Sequence, residues 1–170
     1  MMTAGVATRP LKAIKVEAGS DRFDAALDIA GWRFECKLSS KDTGGDYCIY
    51  DTVRTVKGGP PLHVHHQQDE WFYVREGEFL FHVGGDTFHL KPGDSLFGPR
   101  GVPHAFASLT DRSAVVVTFQ PAGAVEALFG EASALSRTRP LTPDDWRALV
   151  QARGIDIVGP PLVLPQRGHQ

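Results

Sequence analysis

Two histidines stand at a spacing that suits a shared metal ion. His63 and His65 are two residues apart in the sequence. Successive side chains of a β-strand point to opposite faces, so this pair shares one face and His66 takes the other. Imidazole nitrogen is a good ligand for divalent first-row transition metals. Two such ligands are too few for a tight site, so further donors must come from elsewhere in the chain.

A glutamate and a third histidine are the best candidates for the missing donors. Glu70 follows the pair closely, at a distance that allows a turn and a return along the next strand. It has the same parity as the apolar Phe72, which favours Glu70 over Asp69 for the inward face. His104 comes directly after a loop stiffened by two prolines, at the start of another predicted strand.

The other histidines and charged residues near these donors are predicted to lie outside the site. His66 and Asp69 are expected to face solvent, and Arg100 is interpreted as a loop charge. Three further histidines have no partner at metal-ligand spacing: His82, His89 and His169.

Short strands must position the four donors. Runs rich in β-branched and aromatic residues recur at even spacing, with Gly and Pro turns between them, which is typical of an all-β sandwich or barrel. The predicted strands are residues 31–38, 47–56, 70–75, 78–83, 87–90, 95–97, 104–109 and 113–120. We therefore predict an N-terminal arm over residues 1–20 and a β-barrel over residues 21–120.

Residues 121–170 are predicted to form a C-terminal helical extension and tail. A helix is expected over residues 124–135. A second helix is expected to begin at Thr142, which starts a capping box with proline at the first helical position. It is expected to end at Gly154 and to pack an apolar stripe against the barrel. Residues 160–170 are proline-rich and are predicted to be loose.

Two motifs in this sequence resemble those of the cupin superfamily. The pattern HXHX4EX6G is matched over residues 63–77, and GX5PXGX2H over residues 93–104. The resemblance implies a double-stranded β-helix, also called a jelly-roll barrel. It also implies one divalent transition metal (Fe, Mn, Ni, Zn, Cu or Co), held by His63, His65, Glu70 and His104. The alternative is a polar cluster without metal. Metal binding is favoured because this sequence has all four of the donors that the cupin motifs supply.

The resemblance extends to small single-barrel, quercetin-dioxygenase-like cupins. It implies a metal-dependent dioxygenase or other oxidoreductase acting on a small aromatic or polyhydroxylated compound, with Glu70 as ligand or general base. Candidate apolar walls are Phe72, Phe81, Phe97 and Phe106. The alternatives are a metal-dependent isomerase or lyase, and a non-catalytic small-molecule-binding cupin. The resemblance also implies a homodimer.

Composition excludes several other classes of function. The formal net charge is −2, with acids and bases mixed along the chain, so neither a nucleic-acid surface nor a membrane anchor is indicated. The first residues lack the apolar run of a signal peptide, and a cytoplasmic location is expected. Cys36 and Cys48 lack CxxC spacing and are predicted to be buried, reduced thiols.

Overall fold

The computed structural model describes residues 12–164 of the 170-residue chain. Its strands are β1 Leu27–Ile29, β2 Trp32–Leu38, β3 Cys48–Arg54, β4 Pro61–His65, β5 Asp69–Glu76, β6 Phe79–Val83, β7 Asp86–Leu90, β8 Ser95–Gly98, β9 His104–Ser108, β10 Ser113–Gln120 and β11 Ile155–Pro161. Its helices are α1 Ser40–Thr43, α2 Val125–Ser136 and α3 Pro143–Gln151. Among these residues, no helix combines the length and apolar character that crossing a membrane requires.

The strands form two antiparallel sheets, which confirms the predicted all-β double-stranded β-helix with short C-terminal helices. The larger sheet has the order β1-β2-β3-β10-β5-β8, and the smaller has the order β11-β4-β9-β6-β7. Neighbours in each sheet are mostly distant in sequence, as in a jelly roll. This strand order places β4 beside β9, and therefore brings the two predicted metal-binding motifs together.

An aromatic cluster fills the space between the sheets. Phe72 on β5 lies 4.9 Å from Phe81 on β6 and 5.7 Å from Phe106 on β9, measured between ring centroids. Phe79 is fully buried beside them. Burial of such rings contributes roughly 2–3 kcal/mol each, and tilted ring pairs add to this. The cluster supports the strands that carry the candidate ligands.

Helix α2 packs against β1 of the larger sheet, and α3 packs against β11 of the smaller sheet and against α2. Phe129 of α2 packs against Phe34 and Tyr50, at centroid distances of 4.6 and 5.1 Å. The capping box predicted at Thr142 is present, with its side chain accepting a hydrogen bond from the Asp145 amide. This confirms the predicted start of α3.

The C-terminal segment differs from the prediction in one respect. Residues from position 160 onward were expected to be loose, yet Ile155–Pro161 forms β11 and pairs with β4. Proline is tolerated on an edge strand because the missing N–H faces outward, and β11 is such an edge. The strands β1 and β11 were not predicted because they are short or interrupted by Gly and Pro.

Two further predictions concern the cysteines and the ends of the chain. Cys36 and Cys48 are buried and free, as expected. Most of the predicted arm (residues 1–11) and the end of the predicted tail, including His169, lie outside the described residues. The division into an arm, a barrel and an extension stays a prediction.

Candidate metal centre

The structure brings the four predicted ligands into one cluster. One donor atom from each of His63, His65, Glu70 and His104 lies within 4.8 Å of the other three. His65, Glu70 and His104 are at most 5% exposed, and His63 is partly buried. The cluster lies where β4, β5 and β9 approach one another.

Strand register explains this convergence. His63 on β4 is directly opposite His104 on β9. His65 shares a strand face with His63, as their spacing predicted. Glu70 lies near the start of β5, opposite Phe119 of β10. The parity prediction holds for β5, where Glu70 and Phe72 are buried while Trp71 and Tyr73 are exposed.

Each histidine of the cluster is oriented by a hydrogen-bond acceptor that contacts its Nδ1 atom, the ring nitrogen that points away from the cluster. The Nδ1 atoms of His63 and His104 lie 2.8 and 3.1 Å from the carbonyl oxygens of Pro61 and Val102. A carbonyl oxygen can only accept, so Nδ1 carries the proton and the lone pair of Nε2 is directed into the cluster. This is the arrangement that metal-binding histidines require.

His65 is held in the same way by a side-chain amide. Its Nδ1 lies 3.2 Å from Oε1 of Gln68. The amide orientation follows from the other end of Gln68, where Nε2 donates to the carbonyl oxygens of Pro121 and Ala122. Gln68 is 6% exposed. It was not singled out from the sequence, although its position three residues after His65 was a usable signal.

Glu70 supplies the negative charge of the cluster. Its Oε2 lies 2.5 Å from Nε2 of His104 and 3.4 Å from Nε2 of His65. Burial raises the pKa of Glu70, but the neighbouring imidazoles outweigh it and bring the pKa to about 2. Burial and the adjacent histidines lower the pKa of His63 to about 4. Three imidazoles and one carboxylate therefore converge, a donor set that fits a divalent first-row transition metal.

A large apolar cavity opens beside the cluster. Its volume is about 620 Å³, and His63, His65 and Glu70 form part of its lining. Of the predicted walls, Phe72 and Phe106 line it. The other two do not, since Phe81 is buried in the core and Phe97 is 56% exposed. Walls that the sequence did not predict come from β2, α2, α3 and β11, and include Trp32, Phe34, Phe129, Trp146 and Ile155.

The remaining candidates lie on the surface, as predicted. His66 contacts Asp156 at 2.8 Å, with both side chains about half exposed. Asp69 forms an ion pair with Arg100 at 2.7 Å. His82 and His89 contact Thr87 and Glu78 at exposed positions. None of these side chains belongs to the cluster found among residues 12–164.

Replacing Gln68 by leucine is expected to weaken metal retention about 10- to 100-fold, because His65 loses the acceptor that orients it. Competition with a chromogenic chelator measures this change. Gln67→Leu is the matched control, since Gln67 is the neighbouring exposed residue. Equal metal affinities in the two variants would contradict an orienting role for Gln68.

Comparison with known proteins agrees with the fold and the motifs. Residues 53–120 match a family model described as a cupin domain. A curated relative, oxalate decarboxylase from Arthroderma benhamiae, is 33% identical over 94 residues. The match covers 52% of this chain but only 22% of that protein.

Two solved structures share the fold at low sequence identity. Ectoine synthase from P. lautus is 22% identical with a TM-score of 0.52, and the match covers 85% of this chain and 86% of that one. The polyketide cyclase RemF from Streptomyces resistomycificus is 20% identical with a TM-score of 0.53, covering 65% of this chain and 80% of that one. At these identities the likeness concerns the fold alone.

Proposed function

Because this chain belongs to the cupin superfamily, whose domain model matches residues 53–120, we propose that it is a metal-dependent cupin enzyme. We assign it to the oxidoreductases of the dioxygenase type, acting on a small aromatic or polyhydroxylated compound. The observation that carries this proposal is the four-donor cluster at the wall of an apolar cavity of about 620 Å³. Such a cavity takes a substrate of drug-like size.

His63, His65, Glu70 and His104 would hold one divalent transition metal (Fe, Mn, Ni, Zn, Cu or Co). A bound ion of this kind supplies Lewis acidity towards a substrate oxygen and, where it is redox-active, electron transfer to dioxygen. The three Nδ1–H groups remain engaged with their outer acceptors, so all three imidazoles present the same nitrogen to the centre.

The cavity walls would bind and orient the substrate. The rings of Phe34 and Phe129, whose centroids are 4.6 Å apart, and the indole of Trp32 offer faces for an aromatic substrate. Glu70 lines the same cavity, and its carboxylate is placed to accept a proton from a substrate hydroxyl group.

A lyase is the second candidate. The curated relative named oxalate decarboxylase supports it, although the match covers only 22% of that protein. Lyase and isomerase chemistry would use the same donors without dioxygen. A cupin that binds a small molecule without turning it over is the non-catalytic alternative.

Elemental analysis of the protein, purified without added metal or chelating resin, tests the proposal first. We expect about one Fe, Mn, Ni, Cu or Co per chain, followed by dioxygen consumption with phenolic or polyhydroxylated compounds. Turnover that persists without dioxygen would favour the lyase. Zinc would weaken the dioxygenase assignment, and absence of any metal after reconstitution would overturn the metal centre.

The homodimer expected from the resemblance also becomes a proposal here. Light scattering coupled to size exclusion would show a mass near twice the 18.5 kDa of the chain. A mass equal to that of the single chain would contradict it.

A further inference from the structure

Arg147 is a charged residue among the walls of the apolar cavity. It lies on helix α3 and belongs to the lining of the cavity beside the candidate metal centre. Among the described residues of that lining, it is the only lysine or arginine. The two lining hydroxyl groups already have protein partners, since Thr52 donates to the carbonyl oxygen of Val115 and Thr142 caps α3.

The position of Arg147 on α3 is one that an apolar residue would normally take. Pro143, Trp146 and Val150 share one face of the helix by their spacing, and all three line the cavity. Arg147 belongs to the same face, four residues after Pro143 and three before Val150. A helix face that covers an apolar interior ordinarily carries apolar residues. Arg147 is exposed whereas Val150 is buried, so its charged end lies on the open side of this wall.

The charge of Arg147 is not neutralised by the part of the chain that the structure describes. Within residues 12–164, its side chain forms no ion pair and no hydrogen bond. Two neighbouring arginines are paired, Arg139 with Asp145 and Arg153 with Glu131, each at 2.5 Å. The guanidinium of Arg147 is therefore available to an anionic ligand in the cavity.

The chemistry of this lining favours a carboxylate. A guanidinium matches the two oxygens of a carboxylate, which it binds through two parallel hydrogen bonds. It balances one negative charge, and the described lining supplies no second lysine or arginine for a dianion. We propose that Arg147 binds the carboxylate of an aromatic carboxylic acid whose apolar body occupies the cavity. This names the substrate class of the candidate metal centre, and in that respect it rests on the function proposed above.

An apolar wall connects α3 with the histidines of the cluster. Ile155 of β11 is paired with His65 of β4 in the strand register. Ile157 is paired with His63 in the same way, and both isoleucines line the cavity. Helix α3 packs against β11. An acid held at Arg147 would extend its apolar body along this wall, with the end far from its carboxylate directed towards the cluster.

Binding to the full-length, metal-free protein tests the inference without relying on activity, because a bound metal would itself attract a carboxylate. The probes are 2-naphthoate and biphenyl-4-carboxylate, each compared by calorimetry with its primary amide. We expect each acid to bind about 10-fold more tightly than its amide, since hydrogen bonds to charged groups are the stronger ones. Equal affinities for acid and amide, or no binding of either, would overturn the proposal. Tighter binding of 2-naphthyl phosphate than of 2-naphthoate would overturn the choice of a carboxylate.

Variants locate the anion site. Arg147→Met should remove the preference for the acid and leave amide affinity unchanged, because methionine keeps an apolar stem at the wall. Arg147→Lys keeps the charge but not the two parallel hydrogen bonds, so it should retain part of the preference. Arg137→Met is the matched control, because Arg137 is equally exposed and does not line the cavity. An acid preference that persists in Arg147→Met, or that Arg137→Met loses to the same extent, would refute the assignment.

The two proposals can fail separately. Metal content of Arg147→Met should equal that of the wild type, because Arg147 is not part of the four-donor cluster. A protein that holds no metal after reconstitution but prefers acids through Arg147 would refute the metal centre alone. A protein that binds metal, but whose metal-free form does not distinguish acids from amides, would refute the anion site alone.

Discussion

We expect replacement of His104 by alanine to abolish stoichiometric metal binding, with a loss in affinity of at least about 100-fold. Disturbing only an outer hydrogen-bond partner of a ligand costs 10- to 100-fold, so removal of the ligand itself exceeds that range. His104 also contacts Glu70 at 2.5 Å, and its loss leaves the carboxylate with one imidazole fewer. Elemental analysis after dialysis against a weak chelator measures the effect.

His82→Ala is the control for this experiment. His82 contacts Thr87 at an exposed position on the outer side of the barrel, so its removal should leave metal content unchanged. Thermal unfolding of both metal-free variants separates loss of a ligand from loss of the fold. Equal metal content in the two variants would refute the ligand assignment.

The sequence predicted the members of the cluster because most of them are indicated by local residue spacing. The spacing of His63 and His65, and the parity of Glu70 with Phe72, follow from strand geometry and need no tertiary contact. His104 lies on another strand, and its place beside His63 depends on the pairing of β4 with β9. The sequence predicted His104 as a ligand but did not predict this pairing, since nothing in local spacing specifies which distant strands meet.

The cavity was predicted less well because its walls come from distant parts of the chain. Phe97 was expected to line it, but it pairs with Trp71 and shares the outward face of the larger sheet. Two of the wall residues, Trp146 and Ile155, lie in the C-terminal segment. Neither the spacing of apolar residues along that segment nor its composition specifies where it packs against the barrel.

Gly59 lies directly against the backbone of β9. A Cβ added to Gly59 would lie 1.5 Å from the carbonyl oxygen of Phe106 and 2.6 Å from its carbonyl carbon. Both obstacles are backbone atoms of β9, so no side-chain rotation relieves the contact. Gly59 lies just before β4, and Phe106 lies two residues after His104, so any shift at this point separates the histidines of β4 from His104.

We therefore expect Gly59→Ala to destabilise the protein by about 3–5 kcal/mol, at the upper end of the range for single substitutions. For a chain of this size, that corresponds to a fall in Tm of roughly 10 °C. Metal retention should fall with it, because the β4–β9 contact carries three of the four ligands. Thermal unfolding and elemental analysis measure the two effects.

Gly85→Ala is the matched control, because a Cβ at Gly85 would have no atom within 4 Å. Its backbone does not need the left-handed region that favours glycine. We expect a stability change within about 0.5 kcal/mol and unchanged metal content. If Gly59→Ala unfolded at the same temperature as Gly85→Ala, the close approach of β4 to β9 would be refuted. If it lost stability but kept its metal, the geometry of the cluster would not depend on this contact.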